Sequence, residues 1–385
     1  MVFVSREGAP WRDEWSLEPG LAYLNHGGFG LTPNSVLAVQ DSWRARIERN
    51  PTRFLTFELE DLLREATAKV AAAVKAKSED LVFVENATSG LNAVLRGMDF
   101  EPGDEILMTS LAYPAIRKAG LYAASRVGAR LVEAEIKLPL TSDADILRAV
   151  ASRLTKRTRL AVFDHVASHS AIVMPVAMLT RIAHEAGASV MIDGAHAPGM
   201  IALDVPAVGA DWYVGNLHKW FFAPRSCGFL WAAKPVQAGT HPLAISHGFT
   251  EGFRVEFEWT GTRDVTAALA APAGIDFHAR LGGAALMTRN QDLVREAATE
   301  LARDWGTDLI APAANFAAMA VVRLPLAGDT TPARAGALMR ELAERHNVAA
   351  AVVFLADALW VRIAAQAYNE PADYRRLAPL FRRTA

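Results

Sequence analysis

From about residue 80 onwards, short runs of apolar and β-branched residues alternate with longer segments whose apolar positions recur at helical spacing. This alternation is typical of parallel strands that are joined by crossover helices. Strands that are buried on both faces read as continuous apolar runs, as these do. The pattern therefore predicts an α/β fold with a mostly parallel, seven-stranded sheet, whose strands lie at 81–84, 105–109, 129–133, 159–163, 189–192, 212–214 and 228–231.

The segments outside this sheet predict two further units. A glycine-rich turn precedes helical segments at 36–49 and 57–75, and the crossover helices are expected at 113–126, 143–154 and 176–186, the last ending at Gly187 in a left-handed cap. After a long helix at 265–281, the order becomes helix, strand, helix, strand, with strands at 316–324, 350–355 and 359–363. We expect an N-terminal arm (1–34), a large domain (35–282) and a smaller C-terminal α+β domain (283–385).

Composition narrows the class of protein. Hydrophobic residues make up 51% and charged residues 21% of the 385, as in folded globular chains and unlike disordered ones. A formal charge of -2 argues against a nucleic-acid partner. The sequence shows neither an export signal nor a charge-free apolar stretch of membrane-spanning length, so no membrane association is expected. The single cysteine, Cys227, excludes an internal disulfide and favours a reducing, cytoplasmic setting.

Two predicted strand ends carry polar side chains of chemical interest. SVMIDGAH (189–196) runs a buried strand into Asp193, and ligands of open parallel sheets bind outside the carboxyl ends of the strands. WYVGNLHKW (212–220) runs the next strand into Lys219 among aromatic residues, where desolvation disfavours the ammonium form and makes the amine a nucleophile towards an aldehyde. Taken alone, Asp193 could cap the following turn, and a lone lysine is usually solvated.

A third segment, LVFVENATSGL (81–91), predicts a strand, a polar turn and a helix that begins near Ser89. Backbone N–H groups at a helix start, together with the Thr88 and Ser89 hydroxyls, form a site for a phosphate dianion, although either residue alone is also a common N-cap. The segment is neither a Walker loop nor G-x-G-x-x-G. An anion site, an aspartate for the ring nitrogen and a lysine for the aldehyde, each at a strand end, are what pyridoxal 5′-phosphate requires.

The three segments NATSG, DGAHA and HKW resemble the class V aminotransferase family, a branch of the fold-type I pyridoxal phosphate enzymes. Six longer segments are similar, in order and spacing, to isopenicillin N epimerase-like members of that family. They are YLNHGGFG (23–30), NPTRFL (50–55), FDHVAS (163–168), HKWFFAPRSCGFLW (218–231), WTGTRD (259–264) and VRIAAQAYN (361–369). The match spans nearly the whole chain and is more specific for the branch than for the reaction.

The resemblance implies roles for individual residues. Lys219 would hold the cofactor as a Schiff base and move the Cα proton, and Asp193 would pair with the ring nitrogen. The other cofactor contacts would be Thr88, Ser89, Tyr113, His165, Ser168, His196, Asn216, His218 and Thr262. Thr262 would reach the phosphate of a neighbouring subunit, which implies a homodimer with active sites near the subunit interface.

Substrate contacts would come from Asn25, His26, Arg53 and Arg362. Arg362 would clamp the α-carboxylate of an amino acid, because a guanidinium matches a carboxylate with two parallel hydrogen bonds. An acid partner for Arg362, core packing of Tyr113 and a plain glycine-shaped loop at 25–30 are the alternatives. The chain also departs from its relatives where Thr-Pro commonly follows the position of Ser168, since His169 and Ser170 stand there instead.

Several reactions share such a site. Inversion of Cα, β-elimination and transamination all begin with loss of the Cα proton, and the acids and leaving groups within reach decide between them. We expect an epimerase or racemase, with a C–S β-lyase of the cysteine desulfhydrase type or an aminotransferase as the alternative. Desulfuration through a persulfide is not expected, because Cys227 begins a predicted buried strand. A histidine-based metal hydrolase lacks H-E-x-x-H spacing, and a non-catalytic binding protein would not need intact cofactor positions.

Overall fold

The apolar runs form strands in the computed structural model of the protein, which describes residues 11–326, 328 and 330–381; the first ten residues of the expected arm lie outside the described residues. The seven strands expected between 81 and 231 are present, with bounds that differ by two residues at most. In chain order the strands are β1 (Ala22–Tyr23), β2 (Leu81–Val84), β3 (Glu105–Thr109), β4 (Arg130–Ala134), β5 (Thr158–Asp164), β6 (Ser189–Gly194), β7 (Trp212–Asn216), β8 (Gly228–Ala232), β9 (Met319–Arg323), β10 (Val348–Ala349), β11 (Ala351–Leu355) and β12 (Ala358–Ala364).

The segments with helical spacing form helices whose ends follow local capping chemistry. The Asn86 side chain, for example, accepts a hydrogen bond from the Ser89 N–H at 3.0 Å and starts a helix at Ala87, two residues before the expected start. The helices are α1 (His26–Phe29), α2 (Asn34–Arg49), α3 (Pro51–Arg53), α4 (Leu59–Ala73), α5 (Ala87–Gly97), α6 (Pro114–Val127), α7 (Asp143–Ala151), α8 (Val176–Glu185), α9 (Val205–Val208), α10 (Phe253–Glu258), α11 (Thr266–Arg280), α12 (Ala284–Trp305), α13 (Pro332–His346) and α14 (Pro371–Arg375).

The large sheet has the strand order β2-β8-β7-β6-β5-β3-β4. The pairs from β7 to β4 are parallel, whereas β8 runs antiparallel to both β7 and β2. Neighbouring residues of one strand, such as Val162 and Phe163, belong to two separate hydrophobic clusters, so both faces of the sheet are covered. The expected mostly parallel, seven-stranded sheet is confirmed.

The C-terminal part contains an antiparallel sheet of order β11-β12-β9, to which α12 and α13 are adjacent. The two-residue strand β1 pairs in parallel with β10, which ties the N-terminal segment to this part of the chain. The Ala364 N–H, at the end of β12, donates to the Leu24 carbonyl at 2.8 Å. These contacts bring Asn25 beside Arg362 of β12. The boundaries expected at residues 34 and 282 stay a prediction.

Among the described residues, the helices are too short or too polar to span a lipid bilayer.

Candidate active site

A cavity of about 750 Å³ lies at the carboxyl ends of the parallel strands, where the order of the sheet brings β5, β6 and β7 together. Its walls come from the loops after these strands, the starts of α5 and α6, the segment around α1, and β12. Most of the site residues expected from the sequence line it: Asn25, Thr88, Ser89, Tyr113, Ser168, Asp193, His196, Asn216, His218, Lys219 and Arg362.

Lys219 is buried in this cavity, with 9% of its surface exposed. Its Nζ lies 3.2 Å from Nε2 of His196. Burial and, second, the charge of Arg362 lower the pKa of Lys219 to about 7, although Asp193 acts in the opposite direction. A large fraction of the amine is therefore neutral near neutral pH, which is the form that attacks an aldehyde.

Asp193, the penultimate residue of β6, is a buried carboxylate that accepts a hydrogen bond from the Ala195 N–H at 3.0 Å. Asp164, at the end of β5, stands in register with it and also lines the cavity. Burial and, second, the negative charge of Asp193 raise the pKa of Asp164 well above its usual range, and burial also raises the pKa of Asp193. Two adjacent buried carboxylates favour a single shared charge or a cationic partner such as a protonated ring nitrogen.

Asp164 was missed in the sequence, where His165 was expected to face the crevice instead. Successive side chains of a strand point to opposite faces, and this alternation continues past the end of β5, since Asp164 lines the cavity and His165 does not. The structure places His165 on the other side, with its Nδ1 2.7 Å from the Tyr213 hydroxyl. The parity of the strand was the signal that could have separated the two residues.

The start of α5 forms the polar end of the cavity. The Asn216 side-chain oxygen accepts a hydrogen bond from the Ala87 N–H at 2.8 Å and fixes this helix start against β7. Nδ1 of His218 donates to the Cys227 carbonyl at 2.9 Å. Thr88 and Ser89 lie in the first turn, where their hydroxyls and the helix dipole attract an anion, while the Ala87 and Ser89 N–H groups are already paired with asparagine side chains.

Arg362 is a buried cation that has only neutral partners in the described part of the chain. Its Nη1 donates to the carbonyl and the hydroxyl of Ser168, and its Nη2 donates to the Asn25 side-chain oxygen at 2.9 Å. Burial lowers its pKa to about 10, so the guanidinium remains charged at neutral pH. The acid partner considered as an alternative is thus not found among these residues, and the site favours a carboxylate ligand.

Three further residues expected at the site lie outside the cavity. His26 is fully buried, because its Nε2 donates to the Lys219 carbonyl at 3.0 Å and its Nδ1 accepts from the Tyr368 hydroxyl at 2.8 Å. Arg53 is exposed and pairs with Glu58 at 2.8 Å. Thr262 is exposed in the loop before α11. His26 therefore contacts the backbone of Lys219 rather than the cavity, and a single chain does not bring Arg53 or Thr262 to the cavity.

The cavity has the donor set that pyridoxal 5′-phosphate needs. It contains a buried amine with a lowered pKa, a buried carboxylate that forms no ion pair with any residue that the structure describes, and the N-terminus of an eleven-residue helix. Nδ1 of His196 is also buried and has no hydrogen-bond partner among the described residues, which leaves a polar atom for a bound molecule. The residues present fit this cofactor.

Comparisons with known proteins agree with this chemistry. The family model "Aminotransferase class-V" matches residues 22–349. L-cysteine desulfhydrase from Arabidopsis thaliana is 33% identical over 94% of this chain and 87% of its own, and isopenicillin N epimerase from Streptomyces clavuligerus is 33% identical over 95% and 96%.

Among solved structures, a mutant of C-DES with glycine covalently linked to its pyridoxal phosphate cofactor has a TM-score of 0.81 at 21% identity, covering 96% of this chain and 98% of that one. At this identity, the match supports the shared fold. Since the family model covers most of the chain and relatives above 30% identity span nearly all of it, the chain belongs to the class-V aminotransferase family and is a pyridoxal 5′-phosphate-dependent enzyme of fold type I.

Proposed function

We propose that this enzyme removes and returns the Cα proton of an amino acid, or of a metabolite that carries an amino-acid group, and so inverts Cα as an epimerase or racemase. The observation that carries this proposal is the meeting of Lys219, Asp193 and Arg362 in one cavity. Arg362 has the charge and the neutral surroundings to hold an α-carboxylate. Lys219 has the lowered pKa that a base acting at neutral pH requires.

The bound cofactor supplies an electron-accepting ring that takes up the electron pair left on Cα. In our proposal, Lys219 Nζ would bind the aldehyde of the cofactor and, when free, would hold the Cα proton. Asp193 pairs with the ring nitrogen. The phosphate is bound by Thr88, Ser89, Asn216 and His218, and the ring edge and face are contacted by His196, Ser168 and Tyr113. The burial of Lys219 and Asp193 supports this assignment, because it excludes water from the reacting amine and from the ring nitrogen's partner.

We further infer a cytoplasmic homodimer in which Thr262 reaches the partner's phosphate site. Leu243, Ile245 and Phe249 are large apolar side chains that are about half exposed in the segment before α10. Leu243 also lines a smaller pocket together with Ser89 of the first turn of α5. An exposed apolar segment beside the phosphate site supports a subunit contact there. A single, buried cysteine supports a reducing compartment.

A C–S β-lyase is the second candidate, and the relatives named L-cysteine desulfhydrase favour it. Elimination of a β-substituent would need the same amine and the same carboxylate clamp. A persulfide on the protein is disfavoured, because Cys227 is buried in the core and burial raises the pKa of its thiol far above the usual range.

The two candidates differ in products that are simple to measure. The purified, cofactor-loaded enzyme is incubated with a panel of L-amino acids, and chiral chromatography detects the D-enantiomers while a colorimetric assay detects sulfide from L-cysteine. We expect loss of optical purity, and Lys219→Ala should abolish it together with the borohydride-reducible cofactor band, whereas the exposed control Lys234→Ala should retain both. Sulfide and pyruvate forming faster than any inversion would transfer the assignment to the β-lyase.

A further inference from the structure

Three histidines line the cavity, and they differ in how their nitrogens are engaged. His196 contacts Lys219 Nζ, and His218 donates to the Cys227 carbonyl. His169 makes no hydrogen bond to any residue that the structure describes, and its side chain is only partly buried. Its ring packs edge-on against the ring of Tyr113, at 6.4 Å between centroids. His169 is therefore an imidazole that is available to a molecule in the cavity.

The order of the sheet separates His169 from Lys219. Asp193 marks the end of β6, which lies between β5 and β7 in the sheet. Lys219 follows β7, whereas His169 follows β5, and its contact Tyr113 follows the next strand, β3. The two nitrogen bases consequently follow strands that flank β6, the strand whose carboxylate is proposed to fix the cofactor ring.

The surroundings of His169 favour the neutral imidazole. Burial and, second, the charge of Arg362 lower its pKa below the usual value. The titratable or charged groups that act on it from neighbouring elements are Tyr113 at the start of α6, Arg362 on β12 and His196 after β6. A neutral imidazole accepts a proton at one nitrogen and donates one from the other, which is the ability that general acid–base catalysis requires.

We propose that His169 is the second acid–base group of the inversion, exchanging a proton with the substrate Cα from the side opposite Lys219. This inference rests on the proposed epimerase function and identifies the second acid–base group that inversion requires beside Lys219. One base would take the proton as the Cα–H bond breaks, and the other would deliver a proton to the opposite side of Cα, where the cofactor would have supplied the sink for the electron pair in the meantime. In the reverse direction the two groups exchange roles, and solvent restores their protons.

The first test does not depend on catalysis. Histidine side chains are labelled with ¹³C for NMR, and the His169 resonance is assigned as the one that is absent from the spectrum of His169→Gln. Its chemical shift is then followed against pH in the parent protein. We expect it to titrate below the ordinary histidine range and to move upwards in Arg362→Gln, which removes the neighbouring positive charge. The proposal would be overturned if the His169 resonance titrated with a midpoint in or above the ordinary histidine range and if Arg362→Gln left that midpoint unchanged.

The second test separates inversion from proton exchange in D₂O, with L-alanine and D-alanine as probes because alanine has no β-substituent to expel. The parent enzyme should introduce deuterium at Cα of both enantiomers and interconvert them. In His169→Gln, one enantiomer should still exchange through Lys219, while exchange of the other and the inversion should fall by about 100-fold or more. Absorption of the bound cofactor should be unchanged, since Lys219 and Asp193 remain.

The outcomes distinguish this inference from the function on which it rests. If the parent enzyme inverts both alanines and His169→Gln inverts them equally fast, His169 is not the second base. Inversion that survives in His169→Gln but disappears in Tyr113→Phe would assign the role to the neighbouring hydroxyl and overturn the inference. If the parent enzyme neither exchanges nor inverts Cα, the proposed function itself fails.

Discussion

Gly30 lies close against the backbone of His218 and Lys219, an approach that its lack of a side chain permits. Its backbone has φ +69° and ψ 170°, a region that residues other than glycine rarely adopt. A Cβ added at this position would lie 2.0 Å from the His218 carbonyl oxygen and 3.0 Å from the Lys219 Cα. Ordinary van der Waals contact would require a separation larger by roughly 1.5 Å. Gly30→Ala should therefore displace the backbone that carries Lys219.

Gly252 provides a matched control, because its φ of +106° and ψ of 160° lie in a similar region while an added Cβ would meet nothing within 4 Å. Each alanine substitution should cost about 1 to 3 kcal/mol through backbone strain. Gly30→Ala should cost about 1 to 3 kcal/mol more, because it also forces a steric overlap with the lysine segment.

Urea unfolding measures the difference between the two variants, and titration with pyridoxal 5′-phosphate, followed by absorbance, measures its consequence at the site. The Gly30 variant should bind the cofactor about tenfold or more weakly, which corresponds to about 1.4 kcal/mol. The Gly252 variant should bind like the parent protein. Equal losses of stability and equal affinities in the two variants would show that the close approach of Gly30 to His218 does not position Lys219.

Two further predictions concern buried titratable groups. Burial, assisted by the charge of Arg362, lowers the pKa of Lys219 from 10.5 to about 7. Between these two pH values the unfolded chain therefore binds more protons than the folded chain. The stability of the cofactor-free protein should consequently rise as the pH increases from about 7 to 10.5. Lys219→Met should remove this contribution, which is on the order of 4 to 5 kcal/mol across the window. Urea unfolding at pH 6 and pH 10 would then show a smaller increase in the free energy of unfolding for the variant than for the parent protein. An equal increase in both proteins would contradict the burial argument. Cys227 should react with a disulfide reagent at pH 8 roughly 100-fold more slowly in the folded protein than in urea, since burial raises the pKa of its thiol. Rapid labelling of the folded protein would contradict this placement of the thiol.

The sequence was sufficient to predict the elements whose signal is local. Continuous apolar runs located the strands of the large sheet, and the residues that follow two of those runs identified Asp193 and Lys219. Because parallel strands end at one edge of a sheet, finding the strands was enough to bring these side chains together.

Other positions depended on contacts that no local pattern encodes. His26 is drawn into the core by Tyr368 and by the Lys219 carbonyl, partners that lie 342 and 193 residues away in the chain. Whether Asp164 or His165 faced the cavity depended on the pleat at the last residue of β5. Arg53 lies at the surface, where it forms an ion pair with Glu58 of the π-helical turn that follows α3.

Arg362 is held by Ser168 and Asn25, which lie 194 and 337 residues before it in the chain. The three belong to the loop after β5, the segment around α1 and strand β12. During synthesis on the ribosome, the proposed anchor for a substrate carboxylate is consequently assembled only after residues 25 to 362 have all emerged. The large sheet, with Asp193 and Lys219 at its edge, is complete by residue 232, so the proposed coenzyme contacts of these two residues precede the proposed substrate anchor along the chain.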